Sequence, residues 1–528
     1  MTRTLVAFTA AFLCTLPTLA EERVDLDAIH RIKSEALDNS KVMEHLFYLT
    51  DVYGPRVTNS PGFFAAADWV VKQLGEWGIP ARQEKWGPYG HGWNYTRFSA
   101  SLIEPEYAPL IGFPLAFTNS TNGPITGDVV MAGLANEKDL ETWKGKLKGK
   151  IVLDGIARDL PLSLQPLAQR YSDSELAALA LAPQPVPPRA NVQGNVPNGN
   201  PQPPNRRFQE QLAAFLREEA PAVVVRGAAG RSEGGTVFGQ GGEPDPKQAA
   251  MPPMVVLTPE HYNRLIRLMT HKIPVKMEFD IQTHLDDRMD SLNIIGQIDG
   301  GRKKDEIVMI GAHLDSWQGG TGATDNAAGS AVMIEAMRIL KTLNLKLDRS
   351  VRIGLWSGEE EGLLGSRAYV KEHFGDRETM KLGSEHAKLS GYFNVDNGSG
   401  KIRGVYLQGN DMMRPVFDAW LKPFADLGVS TISIRNTGGT DHLSFNDVGL
   451  PGFQFIQDQL EYNSRTHHSN MDVYDHVQGG DLMQAAAVVT SVIYHAANRE
   501  EMLPRPPLPK PQPPRNVTGA PGARGTNN

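Results

Sequence analysis

Residues 307–326 read IVMIGAHLDSWQGGTGATDN, and this stretch constrains the fold more than any other. It opens on a short apolar run, residues 307–310, of the kind that forms a buried strand. The run ends at His313-Leu314-Asp315. A glycine-rich loop, 319–322, follows and can fold back sharply. Asp325 then opens onto AAGSAVMIEAMRILKTL, whose apolar residues recur at helical spacing. His313 therefore sits at a strand's end and Asp325 at a helix's start. In open α/β sheets, ligands bind beyond the carboxyl ends of the strands. Taken alone, a His-x-Asp pair is more often a loop hydrogen bond than a site, so the later segments decide.

At 528 residues the chain is too long for one ordinary domain. Its net charge of −7 is mild and lacks the basic balance of a nucleic-acid binder. The first residues, MTRTLVAFTAAFLCTLPTLAEER, carry Arg3, an apolar stretch from Leu5 to Leu16, and the small-residue site Thr18-Leu19-Ala20. This pattern is that of a cleaved signal peptide over 1–20, and it predicts a secreted or periplasmic protein with no membrane span after cleavage. The sole cysteine, Cys14, lies inside that segment. The mature chain then has no thiolate to offer, and any metal chemistry falls to His, Asp and Glu.

Along the chain, residues 21–105 read as the first part of a main α/β domain, with an amphipathic helix from about Pro61 to Trp77 ended by Gly78. Residues 106–284 change character: short β-like runs (GDVVMAG, GKIVLDG, APAVVVRGA, MPPMVVL) surround a Pro/Asn/Gln-rich loop at 183–205. This block reads as an inserted β-rich domain, and the loop as exposed. Strands alternating with helices resume over 285–502, with SLNIIGQIDG expected beside IVMIGAH and a last helix from Gly480 to Ala497. That alternation predicts an α/β fold, a mostly parallel mixed sheet sandwiched by helices. The Pro/Gly-rich tail, 503–528, reads as disordered.

Three further clusters fall where strands are predicted to end. Ser357-Gly358-Glu359-Glu360-Glu361 follows VRIGLWS, Asn394-Val395-Asp396-Asn397-Gly398 closes GYFNVD, and Arg465-Thr466-His467-His468-Ser469-Asn470-Met471-Asp472 lies late in the chain. In the last, a histidine can bind metal while Asp472 or a backbone group orients its other ring nitrogen. Together His313, Asp325, Glu359, Glu360, Asp396 and His468 supply two imidazoles and four carboxylates. That inventory suits two divalent ions with one bridging carboxylate, and one carboxylate left over to accept a proton from water.

The series GAHLDS, TDNAAGSA, SGEEEGLLGS, FNVDNG and HHSNMD resembles, in order, the motifs of the M28 family of zinc aminopeptidases and carboxypeptidases. YGPRVTNSPGFFAAADWV resembles that family's opening motif, and the likeness covers most of 40–105 and 285–497. LKGKIVLDG and PPMVVLTPEHYNRLI resemble a protease-associated domain. The combination is most similar to the carboxypeptidase Q-like and aminopeptidase branch. The resemblance implies two Zn2+ per chain: His313 and Asp396 on one, Glu360 and His468 on the other, and Asp325 bridging. It implies Glu359 as general base and then general acid, with Asp315 behind His313. His468 is chosen over His467 because His-Ser-x-x-Asp best matches the family pattern. Asp441 and His442, in TGGTDH, resemble a segment near the substrate pocket.

The function so implied is hydrolysis of N-terminal residues or dipeptides by a metal-bridging water that Glu359 activates, with short peptides as partners. A carboxypeptidase, a receptor-like protein that binds no metal and a single-zinc, glutaminyl-cyclase-like enzyme are the alternatives on the same fold. Arg403, Arg435 and Arg465 are the candidates for gripping an α-carboxylate. The sequence does not fix the oligomeric state, and a homodimer is compatible with it.

Overall fold

The computed structural model describes residues 22–185, 206–230, 232–242 and 250–512. The leader segment 1–20, most of the 183–205 loop and the tail beyond 512 lie outside the described residues. Among the described residues no helix is long and apolar enough to cross a membrane.

The main sheet has eight strands: β1 (Ala81–Trp86), β2 (Ser291–Ile298), β3 (Lys303–His313), β4 (Arg349–Trp356), β5 (Leu389–Asn394), β6 (Ile402–Tyr406), β7 (Thr431–Ser433) and β8 (Gly452–Gln457). Their order is β1-β2-β4-β3-β5-β8-β6-β7. The central four, β4, β3, β5 and β8, are parallel, and antiparallel pairings join β2 to β4 and β8 to β6. β2 was expected beside β3. Instead, the crossover through helix Ala328–Thr342 brings β4 in between them.

Both faces of the sheet are covered, which is why its strands read as continuous apolar runs. On β3, Val308, Ile310 and Ala312 join the large core under helices Pro61–Glu76, Ala328–Thr342 and Gly479–Asn498. The alternate residues Ile307 and Met309 pack on the other face with Trp356, Tyr369, Tyr392 and Phe445. The helix expected from Pro61 spans Pro61–Glu76, its N-terminus capped by Ser60 Oγ accepting from the Phe63 amide at 3.1 Å, with proline in the first turn.

The inserted domain forms a second eight-stranded sheet. Its boundary lies earlier than expected. Strand Gly92–Glu104 pairs along its length with Lys276–Asp286, so the domain runs from about 92 to 286 rather than 106 to 284. The aromatic turn after β1 is the junction; its residues carry no periodicity that marks a change of sheet. Two of the segments that pin this domain to the main one lie at 169–180 and 235–240. Gln169 pairs with Leu460, and Leu176 and Leu179 pack on Ile456. Arg170 Nη1 reaches Asp458 at 2.9 Å and Asp481 at 2.7 Å. The second contact, residues 235–240, reaches the loop after β8.

The tail is not disordered from its start. Leu503 is buried and its amide donates to Ser390 Oγ, while Arg505 donates to the carbonyls of His386, Ala387 and Leu389. Prolines have no amide to lose, so this stretch can lie on the domain without a ladder of its own.

Helix Ala328–Thr342, which begins beside the Asp325 turn, is locked to the N-terminal helices by Glu335. That carboxylate is fully buried, with Arg338 at 2.8 Å, His45 Nε2 at 3.1 Å and the Lys41 amide at 2.9 Å. Burial pushes its carboxyl up, and the bonds from His45 and Arg338 overcome this and hold it at about 2. A folded-state value below the unfolded one contributes stability that is complete above the unfolded value and lost as pH falls toward 2. The contribution at pH 7 is about 3 kcal/mol. Urea unfolding of wild type and Glu335→Gln across pH 7 to 2.5 should show a stability gap of that order at neutral pH that closes on acidification. Parallel curves would show that Glu335 is not a determinant of acid stability.

Candidate metal centre

The four parallel strands end on one edge, and each delivers a candidate ligand there. His313 is the last residue of β3. Glu359 and Glu360 follow β4, Asp396 follows β5, and His467 and His468 lie in the loop after β8. Asp325 stands just before helix Ala328–Thr342. Gly322, at φ +68°, turns the loop back; a Cβ there would lie 2.3 Å from Ser316 Cβ. Asn326 then ties the turn down: its Oδ1 accepts from the Gly329 amide at 3.0 Å and its Nδ2 donates to Val395 O at 2.9 Å, beside Asp396. A Cβ on Gly329 would meet both Asn326 Oδ1 and Val395 O at 2.3 Å. The Asp-Asn-x-x-Gly pattern is thus the local chemistry of this turn.

The six residues converge. His313 Nε2 lies 3.3 Å from Asp325 Oδ1, 3.4 Å from Asp396 Oδ1 and 4.0 Å from Glu359 Oε2. His468 Nε2 lies 3.1 Å from Asp325 Oδ2 and 2.9 Å from Glu360 Oε2. The two oxygens of Asp325 therefore face two different donor sets. His467 Nε2 is 3.5 Å from Asp325 Oδ2, and its ring packs on Tyr462.

These groups are withdrawn from water, and their charges act strongly on one another. Burial alone would depress the His313 imidazole, yet Asp396 and Glu359 raise it well above its ordinary value. Against the same burial, Glu360 and Asp325 raise His468 to about 10. Burial lifts Glu360 to about 7 and, with Asp396 and Asp441 nearby, lifts Glu359 well up although His313 opposes the shift. Asp325 goes the other way: burial would raise it, but His467, His313 and His468 hold it well below the carboxylate range. His313 Nε2, Asp325 Oδ2 and Glu360 Oε1 have no aligned hydrogen bond of their own. Nitrogen and carboxylate donors of this kind, clustered within 4.8 Å as His313-Glu359-Asp396 and Asp325-His467-His468, fit zinc.

The supporting residues differ in part from expectation. Asp315 does lie behind His313, but it is its carbonyl, 3.0 Å from Nδ1, that meets the ring; its carboxylate accepts from the amides of Glu359 and Glu360 and from Thr58. Asp472 does not orient His468. It accepts from the amides of Thr324 at 2.6 Å and Asp325 at 3.2 Å, and so fixes the central carboxylate. The Nδ1 of His468 instead meets Gln240 of the inserted domain at 2.7 Å. Tyr462 donates to Asp325 Oδ1 at 3.1 Å. Buried Arg56 holds both ends of the His313-to-Asp325 loop, donating to Leu314 O, Thr321 O and Gly322 O. Arg56 and Thr58 sit inside the opening motif, so a signal for them was present; Gln240 and Tyr462 carry none.

Asp441 is fully buried, close enough to Glu359 to raise it. His442 is buried too; burial lowers it to about 4, and its Nε2 lies 3.2 Å from Thr437 O.

Residues 293–493 match the model of Peptidase family M28. Carboxypeptidase Q of Mus musculus is 30% identical over 255 residues, 48% of this chain and 52% of that protein. Aminopeptidase YwaD of Bacillus subtilis (strain 168) is 30% identical over 215 residues, 40% and 46% of the two chains. The chain thus spans about half the length of the curated relatives it matches. Among solved structures, a peptidase M28 precursor from Shewanella amazonensis SB2B shares the fold at TM-score 0.62 and 22% identity, covering 92% of this chain and 98% of that one. BSAP, a zinc aminopeptidase from Bacillus subtilis, shares it at TM-score 0.55 and 20% identity, covering 87% and 95%.

Proposed function

We propose that the protein, whose residues 293–493 match the model of Peptidase family M28, is an exopeptidase that holds two zinc ions and hydrolyses dipeptides or the N-terminal residues of short peptides. The observation that carries this reading is the division of Asp325: Oδ1 toward His313 and Oδ2 toward His468. His313, Asp396 and Asp325 would hold one ion, and Glu360, His468 and Asp325 the other. Zinc bound there lowers the pKa of water and polarises the scissile carbonyl.

Glu359 does the proton work. Its carboxylate takes the proton of the attacking water and passes it to the leaving nitrogen. Burial and the neighbouring Asp396 and Asp441 raise its proton affinity, which suits a group that must accept, hold and deliver. Asp315, bonded to the Glu359 and Glu360 amides, holds the pair in place. The leader segment supports a secreted or periplasmic location, and the strands of the inserted domain support reading it as protease-associated.

For the peptide terminus, two of the three candidate arginines, all but Arg435, argue against a carboxylate grip. Arg403 is already paired with Asp458 at 3.0 Å and Arg465 with Glu461 at 3.1 Å. The acids around Glu359 favour a cationic α-amine, while Asp441 and His442, expected to contact substrate, are fully buried and stand behind that surface rather than on it. Carboxypeptidase action is the second reading, favoured by the name of the Mus musculus relative. The full ligand set argues against a metal-free receptor, and two ions would argue against a single-zinc cyclase.

Glu359→Gln should keep its zinc and lose ~100-fold or more in kcat, the scale of a lost general base. Turnover at the wild-type rate would remove Glu359 from that role. A dipeptide acetylated at its amine should resist cleavage while one amidated at its carboxyl end should not; the reverse pattern would make the protein a carboxypeptidase.

A further inference from the structure

Each histidine of the centre presents Nε2 to the carboxylates, so each needs its Nδ1 held. His313 solves this within its own loop, against Asp315 O at 3.0 Å. His468 does not. Its Nδ1 faces the side-chain amide of Gln240 at 2.7 Å, and Gln240 belongs to the inserted domain. The contact is built rather than incidental. The Gly239 amide donates to His468 O at 3.1 Å, the Val237 amide donates to Asn470 Oδ1 at 2.7 Å, and the Asn470 amide donates back to Val237 O at 3.2 Å. Gln318, in the loop after β3, donates to Pro114 O at 3.1 Å and to Gln240 O at 3.4 Å, tying the same strip to the far side of the centre.

We infer that Gln240 is a positioning residue for His468, so that the inserted domain completes one half of the metal centre. This rests on the two-zinc reading above. The chemistry explains why an amide stands there. With the ring proton on Nε2, against Asp325 and Glu360, the amide nitrogen can donate to a bare Nδ1 across the 2.7 Å contact. A cation at Nε2 requires the proton on Nδ1, which then needs an acceptor. Turning the amide over presents Oε1 at the same place. A glutamine serves both states without bringing another charge to a site already crowded with carboxylates. The inserted domain is therefore more than a wall beside the cleft: it sets which ring nitrogen of His468 is free to bind.

The test is zinc affinity, measured by competition with a chromophoric chelator on full-length wild type, Gln240→Leu and Gln240→Glu, each checked for folding by circular dichroism. Wild type should bind two ions. Gln240→Leu should weaken one site by ~10–100-fold and leave the other unchanged, the usual cost of removing a partner of a ligating histidine. Gln240→Glu, which still accepts from Nδ1–H, should hold both ions within ~10-fold of wild type. Two wild-type affinities in Gln240→Leu would overturn the inference and leave the proposed function standing. Equal weakening in both variants would also overturn it, by showing a packing role instead. A wild-type protein that binds no zinc would remove the proposed function and this inference together.

Discussion

The whole arrangement depends on one carboxylate being held still. Asp325 is buried, and a buried carboxylate is costly unless its neighbours fix and compensate it. Its backbone amide is bonded to Asp472, its Oδ1 receives the Tyr462 hydroxyl, and the adjoining Asn326 locks the turn to Val395. Two parts of the chain that are far from it in sequence, around 395 and 462–472, thus converge on a single turn. The glycine loop that precedes it is anchored by a buried arginine, Arg56, from a third part. Because the turn is fixed from so many sides, the two oxygens of Asp325 can face separate donor sets instead of collapsing onto one histidine.

That convergence follows from sheet topology. Parallel strands deliver all their carboxyl ends to one edge, so residues at the ends of β3, β4, β5 and β8 become neighbours whatever their spacing in the chain. The antiparallel flanks, β1 with β2 and β6 with β8, widen the sheet without adding to that edge. The cost is electrostatic. Bringing Asp325, Glu359, Glu360 and Asp396 together in a dry pocket repels them, and the fold tolerates it through the imidazoles of His313 and His468 and the amides that Asp315 and Asp472 orient. A pocket built this way favours cations, as the proposed zinc centre requires.

Much of this was legible in the sequence because buried parallel strands write themselves as apolar runs, and their ends are easy to find. His313, Asp325, Glu359, Glu360, Asp396 and His468 were all placed by that logic together with the family motifs, and they meet in the structure. What escaped has a common cause: interactions made by single polar residues without periodicity. Gln240 sits in a loop of the inserted domain with no motif around it, yet it touches a candidate ligand. Asp472 stood at the right place in the chain but holds Asp325, because its carboxylate meets the Thr324 and Asp325 amides before it can reach the His468 ring. The domain boundary near Gly92 was missed since Gly92–Glu104 and Ala81–Trp86 are both β-like, and only pairing assigns them to different sheets. The first ten tail residues look disordered by composition, while Leu503 and Arg505 give them specific contacts.

The central claim is that Asp325 bridges two cations. Anomalous scattering from crystals of the purified protein, recorded on both sides of the zinc absorption edge, tests it most directly. The account predicts two peaks about 3.5–4 Å apart, one on each side of the Asp325 carboxylate. A single peak bound by His313 and Asp396 alone, or no peak at this edge of the sheet, would contradict it.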